Sequence, residues 1–230
     1  NQVLATPNRR TLHKNPIPKG GGIVFSILSV FSVLLVWWKC KLPDELLWVL
    51  VAGGLAASIF GILDDIKNIR ASIKLVIQIL LSAWTVYWLE GYELLLTDWV
   101  PSYLSLPLIS FLLVWMMNGY NFIDGIDGMA ASGAVFISST LALVLLLTVE
   151  HIEIIYVFIF IAATVSGFLI FNWPKATIFM GDSGSVFLGY TFGALLLFTV
   201  TTGILSVWTW LVVFGYFFAD TTVTQIARII

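Results

Sequence analysis

The chain has 230 residues, 60% of them hydrophobic and only 10% charged, with a mean hydropathy of +1.01. Soluble globular domains are roughly half apolar, so this composition points to a membrane protein. A net charge of −2 argues against a nucleic-acid partner, and the single Cys40 excludes an internal disulfide and any cysteine-based metal cluster.

A polar arm opens the chain, and apolar runs between short polar breaks then predict eight membrane helices. They fall at about 21–38, 46–63, 73–89, 104–117, 130–149, 152–171, 184–200 and 203–219. Several runs are shorter than the ~20 residues of a perpendicular span, so some helices are expected to extend into neighbouring loops. With no internal repeat or soluble linker, the expected fold class is all-α: one polytopic integral membrane helix bundle over residues 1–230. The chain opens on Asn1 without a signal peptide and reads as truncated at both ends.

Eight spans place the loops alternately on two sides. The side holding loops 1–20, 64–72, 118–129, 172–183 and 220–230 carries Arg9, Arg10, Lys14, Lys19, Lys67, Arg70, Lys74, Lys175 and Arg228. The other carries only Lys39 and Lys41. Nine cations against two make the first side cytoplasmic by the positive-inside bias. Trp37, Trp38, Trp84, Trp88, Trp99 and Tyr103 suit an interfacial belt at the outer ends. Acids sort differently: the cytoplasmic side has Asp64, Asp65, Asp124, Asp127, Asp182 and Asp220 but no glutamate, and the other side carries every glutamate plus Asp44 and Asp98. An aspartate facing lipid costs about 2.5–3.5 kcal/mol at a helix centre, so these must meet water, partners or a cation.

Four stretches carry chemistry. PNRRTLHKNPIPKGGG, Pro7 to Gly22, is a cationic arm entering a glycine-rich helix start, either a positive-inside anchor or an anion-binding loop. FGILDDIKN, Phe60 to Asn68, puts adjacent carboxylates at a helix C-terminus, where they oppose the macrodipole. Lys67, Arg70 and Lys74 supply positive charge for an anionic ligand beside them. In NGYNFIDGIDG, Asn118, Asn121, Asp124 and Asp127 recur every third residue and share a face if the segment winds. FNWPKATIFMGDSGS, Phe171 to Ser185, offers Asp182 between Gly181 and Gly184, with Ser183 and Ser185, just before an apolar helix. Backbone N–H groups and a carboxylate there suit a metal-bound phosphate. A serine hydrolase is rejected, because a triad needs a base and His151 lies on the opposite side.

In this order, DDIKN, NGYNFIDGIDG and NWPKATIFMGDSGS resemble the polyprenyl-phosphate N-acetylhexosamine-1-phosphate transferases over essentially the whole chain. The resemblance implies a ten- or eleven-helix bundle with its site on the cytoplasmic face of the bacterial inner membrane. It implies transfer of an N-acetylhexosamine-1-phosphate from a UDP-N-acetylamino sugar to a polyprenyl phosphate, with release of UMP. By position, Asp182 matches a ligand of an essential Mg²⁺, with Mn²⁺ as the alternative ion. Asp64 and Asp65 match a pair that engages or deprotonates the lipid phosphate, their division of roles left open, and Lys74 resembles a nearby site lysine. Asn121 and Asp124 match pocket residues beside the metal. Asp127, Asn172 and Phe179 match positions around the uracil, and Lys14 a nucleotide-contacting lysine. The O-antigen or common-antigen branch is closer than the phospho-N-acetylmuramoyl-pentapeptide transferases, which stay as the alternative, and a homodimer is allowed. An ion-coupled transporter would instead need carboxylates near the midplane.

Overall fold

A computed structural model describes residues 4–5, 16–89, 102–148, 151–215 and 217. Lys14, the expected nucleotide-contacting lysine, and Asp220 lie outside the described residues. The described chain is nearly all helical. A two-residue ladder, β1 (Leu4–Ala5) antiparallel to β2 (Ile17–Pro18), precedes α1 (Gly21–Cys40). Helix α2 (Asp44–Trp48), a π-helical turn (Val49–Gly53) and α3 (Gly54–Lys67) form one continuous rod. Then follow α4 (Ala71–Trp88), α5 (Ser102–Ile123), α6 (Met129–Thr148), α7 (Ile152–Asn172), α8 (Asp182–Thr201) and α9 (Val207–Val213).

Among the described residues seven helices are long and apolar enough to cross a membrane: α1, the α2–α3 rod, and α4 to α8. The architecture is a polytopic membrane helix bundle. The expected eighth span, 203–219, falls partly outside the described residues; within it a break at Thr202–Ser206 precedes α9, and Gly215 and Phe217 are also helical. A correction concerns the segment from Asn118, expected as a loop to 129. Helix α5 runs through it to Ile123. The physical reason is length: the apolar run 104–117 is too short to span, whereas the 22 residues of α5 rise about 33 Å.

Helix α8 is the hub. Its apolar window is 89% buried, against 28% for α4, so it is covered on nearly every side while α4 faces outward. Apolar residues run around its whole circumference, which suits a helix enclosed by others. It packs against α1, α3 and α5, while α7 joins α1 to α6 and α4 leans on α5. Small residues permit this closeness. A methyl on Gly22 would stand 2.3 Å from the Gly184 nitrogen, so α1 and α8 touch backbone to backbone. Bundling around α8 gathers the N-terminal ends of α1, α4, α6 and α8 with the C-terminal ends of α3, α5 and α7. Hydrogen bonds from Gly21 to Phe179, from Ser183 to Asp65 and from Asn121 to Ser185 record that convergence.

Candidate active site

The site starts where α3 ends. Asn68 takes a left-handed conformation, φ 48°, and its N–H returns to the Asp64 carbonyl at 2.8 Å, closing the helix. The next N–H, of Ile69, donates to Asp64 Oδ1 at 2.8 Å, so the Asp64 side chain caps the turn leading to α4. Its other oxygen is paired with Lys74 in the first turn and a half of α4. Asp64 is only 3% exposed, and a buried carboxylate needs such partners. The Lys74 ammonium also lies 3.5 Å from Asp182 Oδ2, bridging two carboxylates that are themselves within hydrogen-bonding reach.

Asp65, one residue on, points to the start of α8. Its Oδ2 accepts the Ser183 N–H at 3.2 Å, placing a negative charge at the positive end of that helix. Gly181 makes the approach possible: it has φ 72°, and a Cβ there would lie 2.5 Å from Asp65 Oδ2. Oδ1 of Asp65 is buried without a hydrogen bond and faces Lys19 Nζ at 3.6 Å. Lys19 is held there by its backbone, which bridges Phe179, while the Phe179 N–H donates to the Pro18 carbonyl at 2.9 Å.

Helix α5 supplies the third wall. Asn121 donates to Ser185 Oγ at 3.1 Å and also reaches Asp182. Asp124, just past the helix end, accepts the Gly181 backbone N–H. Burial pushes the Asp124 carboxyl well above the usual carboxylate range; repulsion from Asp182 and Asp65 adds to this, and the Gly181 N–H and Lys19 oppose it.

Asp64, Asp65, Asp124, Asp182, Asn121 and Lys74 therefore converge, and Lys19 joins them unforeseen. The signal that could have found Lys19 was its place directly before the GGG helix start. The shared face expected for Asn118, Asn121, Asp124 and Asp127 does not form as such. Asn118 pairs with Gln78 of α4 in a two-way amide bridge of 2.7 and 3.2 Å. Asp127, beyond the end of α5, accepts the Ala176 N–H at 2.9 Å. Asn172 is 3% exposed: its oxygen accepts the Gly128 N–H at 3.0 Å and its nitrogen donates to the Ile178 carbonyl at 2.9 Å. Asp127 and Asn172 thus brace the 173–181 loop, and Phe179 anchors it to β2.

The donor atoms here are carboxylate oxygens, which select hard cations such as Mg²⁺. Four clustered carboxylates meet two lysines, an excess of negative charge that a divalent ion would neutralise. Among the described residues no three His, Cys, Asp or Glu side chains form a cage. Asp182, with Asp124 beside it, could hold such an ion. A cavity of about 600 Å³ at the opposite end, lined by Pro43, Glu45, Tyr87, Trp88 and Thr202, shares no residue with this cluster. His151 also lies at that end, 3.5 Å from Glu153.

Residues 47–200 match the profile of glycosyl transferase family 4. The chain is 29% identical to the "Probable undecaprenyl-phosphate N-acetylglucosaminyl 1-phosphate transferase" of Bacillus subtilis, over 97% of this chain and 63% of that protein. It is 35% identical to the "Phospho-N-acetylmuramoyl-pentapeptide-transferase" of Fervidobacterium nodosum, over 77% of this chain and 57% of the relative. A 31% identity to the "Decaprenyl-phosphate N-acetylglucosaminephosphotransferase" of Mycolicibacterium smegmatis covers 84% and 52%. The chain thus spans between half and two thirds of the length of these relatives. A bundle with seven membrane-length helices among its described residues, which gathers Asp64, Asp65, Asp124 and Asp182 at one end and matches the profile over most of its length, belongs to glycosyl transferase family 4.

Proposed function

We propose that this chain forms the catalytic unit of a polyprenyl-phosphate N-acetylhexosamine-1-phosphate transferase. The observation that carries the reading is the convergence of Asp64, Asp65, Asp124 and Asp182 with Lys19 and Lys74 around the N-terminus of α8. The relatives named above share a polyprenyl-phosphate acceptor in two of three names, and phosphosugar transfer fits all three.

In the proposed reaction a lipid phosphate oxygen attacks the sugar-bearing phosphorus of a UDP-N-acetylamino sugar. A new P–O bond forms to the lipid, the bond bridging the two phosphorus atoms breaks, and UMP departs with its electron pair. Both reactants are anions, so catalysis amounts to alignment and charge compensation. Mg²⁺, or Mn²⁺ in its place, supplies charge neutralisation of the diphosphate when bound. Lys74 and Lys19 are the residues that can release a carboxylate and turn to phosphate oxygens. A lipid phosphate is already ionised at neutral pH, so Asp64 and Asp65 act by orienting the lysines more than as bases. Asp127, Asn172 and Phe179 shape the loop that would face the base, with Lys14 as a further nucleotide contact. The excess of lysine and arginine on this side supports a cytoplasmic site in a bacterial plasma membrane.

The test is release of UMP by membranes bearing the protein, supplied with polyprenyl phosphate and either UDP-N-acetylglucosamine or UDP-N-acetylmuramoyl-pentapeptide. The first donor is expected to be used, and use of only the second would move the assignment to the other branch. Asp182→Asn should lower the divalent-cation-dependent rate at least a hundredfold, and an unimpaired variant would refute the assignment of Asp182.

A further inference from the structure

The three rods that end in the carboxylate cluster also meet a second time, far from it. The π turn Val49–Gly53 lies in the rod that ends at Asp64 and Asp65, Thr85 belongs to the helix that carries Lys74, and Tyr190 to the helix that begins at Asp182. The Tyr190 hydroxyl donates to the Val49 carbonyl at 3.2 Å and accepts from Thr85 Oγ1 at 2.9 Å. Val49 and Thr85 are fully buried and Tyr190 is 1% exposed, so this is a polar node inside an apolar bundle. Gly53 completes it, because a Cβ there would lie 1.9 Å from the Tyr190 oxygen.

π turns are rare, occur mostly as single widened turns inside α-helices, and are frequent at functional sites. Their geometric effect is to insert a residue. If residues 49–53 relaxed to α-helix, everything downstream would rotate by roughly 100°, one residue's share of a 3.6-residue turn. Asp64 would then leave Lys74, and Asp65 would leave the Ser183 N–H. The node sits about 22 Å along the rod from Asp64, about 16 Å from Lys74 and about 12 Å from Asp182, counted at 1.5 Å per residue. We infer that Tyr190 is a positioning residue: by holding the π turn open against α4 and α8, it sets the face on which the Asp64–Asp65 pair meets the site. This deepens the transferase reading and rests on it only for its kinetic consequence.

The decisive variant is Tyr190→Phe/Thr85→Val, which removes both hydroxyls together and so leaves neither side chain with an unpaired polar atom. Its thermal midpoint in detergent is expected within a few degrees of the wild type. Amide hydrogen exchange at residues 64–70 and 181–185 should nevertheless rise at least fivefold, and kcat for UMP release should fall about tenfold with KM within twofold. Exchange that rises only at 46–53 and 81–88, or nowhere, overturns the positioning role and leaves Tyr190 as local packing. Tyr190→Phe alone, which leaves the Thr85 hydroxyl bonded only to the Leu81 carbonyl at 3.0 Å, should raise the same exchange at 64–70 and 181–185, and no rise there contradicts the node. Absence of UMP release from the wild type would instead defeat the transferase reading, while the exchange comparison would still decide this inference.

Discussion

Asp124 shows at the scale of one residue how a site and a fold can want different things. Its carboxyl is pushed up by burial and by the neighbouring Asp182 and Asp65, so its ionised form is disfavoured in the folded protein. A raised folded pKa of an acid means that stability is lost as pH rises above the unfolded value near ~3.9, and that nothing is lost below it. Asp124→Asn, which removes the charge and keeps the shape, is therefore expected to raise the thermal midpoint of the cation-free protein at pH 7.5. The gain should vanish near pH 4, and activity should fall at both. Differential scanning fluorimetry across that range checks the sign. The site aspartates themselves were legible in the sequence, because few charges interrupt the apolar chain and most of its aspartates lie on one side of it. Their partners were not: Lys19 reaches Asp65 only through the bridge between its backbone and Phe179, a contact across 160 residues of chain.

Elements position the site through their ends, and the 173–181 loop depends on two side chains outside it. Asn172→Ala would leave the Gly128 N–H and the Ile178 carbonyl without their buried partners, costing about 2–4 kcal/mol at the usual price of unmade buried hydrogen bonds. Denaturant unfolding in detergent should read that loss, and limited proteolysis between Trp173 and Gly181 should accelerate. A residue that only touched nucleotide would instead leave stability unchanged and raise KM for the sugar nucleotide. The bounds of the early helices followed from apolar run length, so α1 and the α2–α3 rod lie close to the expected spans. The end of α5 did not, since Asn118 and Asn121 look like loop residues. In the bundle each finds a partner, Gln78 and Ser185, and the helix can carry them through. The π turn was invisible too: Val49–Gly53 is ordinary apolar sequence, and only the tyrosine across from it distinguishes that turn.

For the whole molecule, the asymmetry of charge makes a claim about sidedness. With Cys40 replaced by serine, Lys67→Cys is expected to react with an impermeant maleimide in inside-out vesicles alone, and Lys41→Cys in right-side-out vesicles alone. Lys67 and Lys41 are both exposed at helix ends, so accessibility is not limited by packing. Reaction of the two from the same side would break the assignment of loops.

Composition and the order of apolar and polar stretches were enough to determine a membrane helix bundle with Asp64, Asp65, Asp124 and Asp182 at one end, because every span must satisfy the bilayer and each charge must avoid it. Local sequence also picked out the aspartates and Lys74 that converge at the start of α8. Tertiary structure alone decided who meets whom. It placed α8 at the centre, brought the ends of α3, α4 and α5 to its N-terminus, and turned Asp127 and Asn172 toward bracing a loop. The reason is that these pairings depend on rotation about helix axes, set by glycine contacts such as Gly22 on Gly184 and by the node at Tyr190. Such rotations are fixed by packing between distant segments, and no single stretch of sequence contains them.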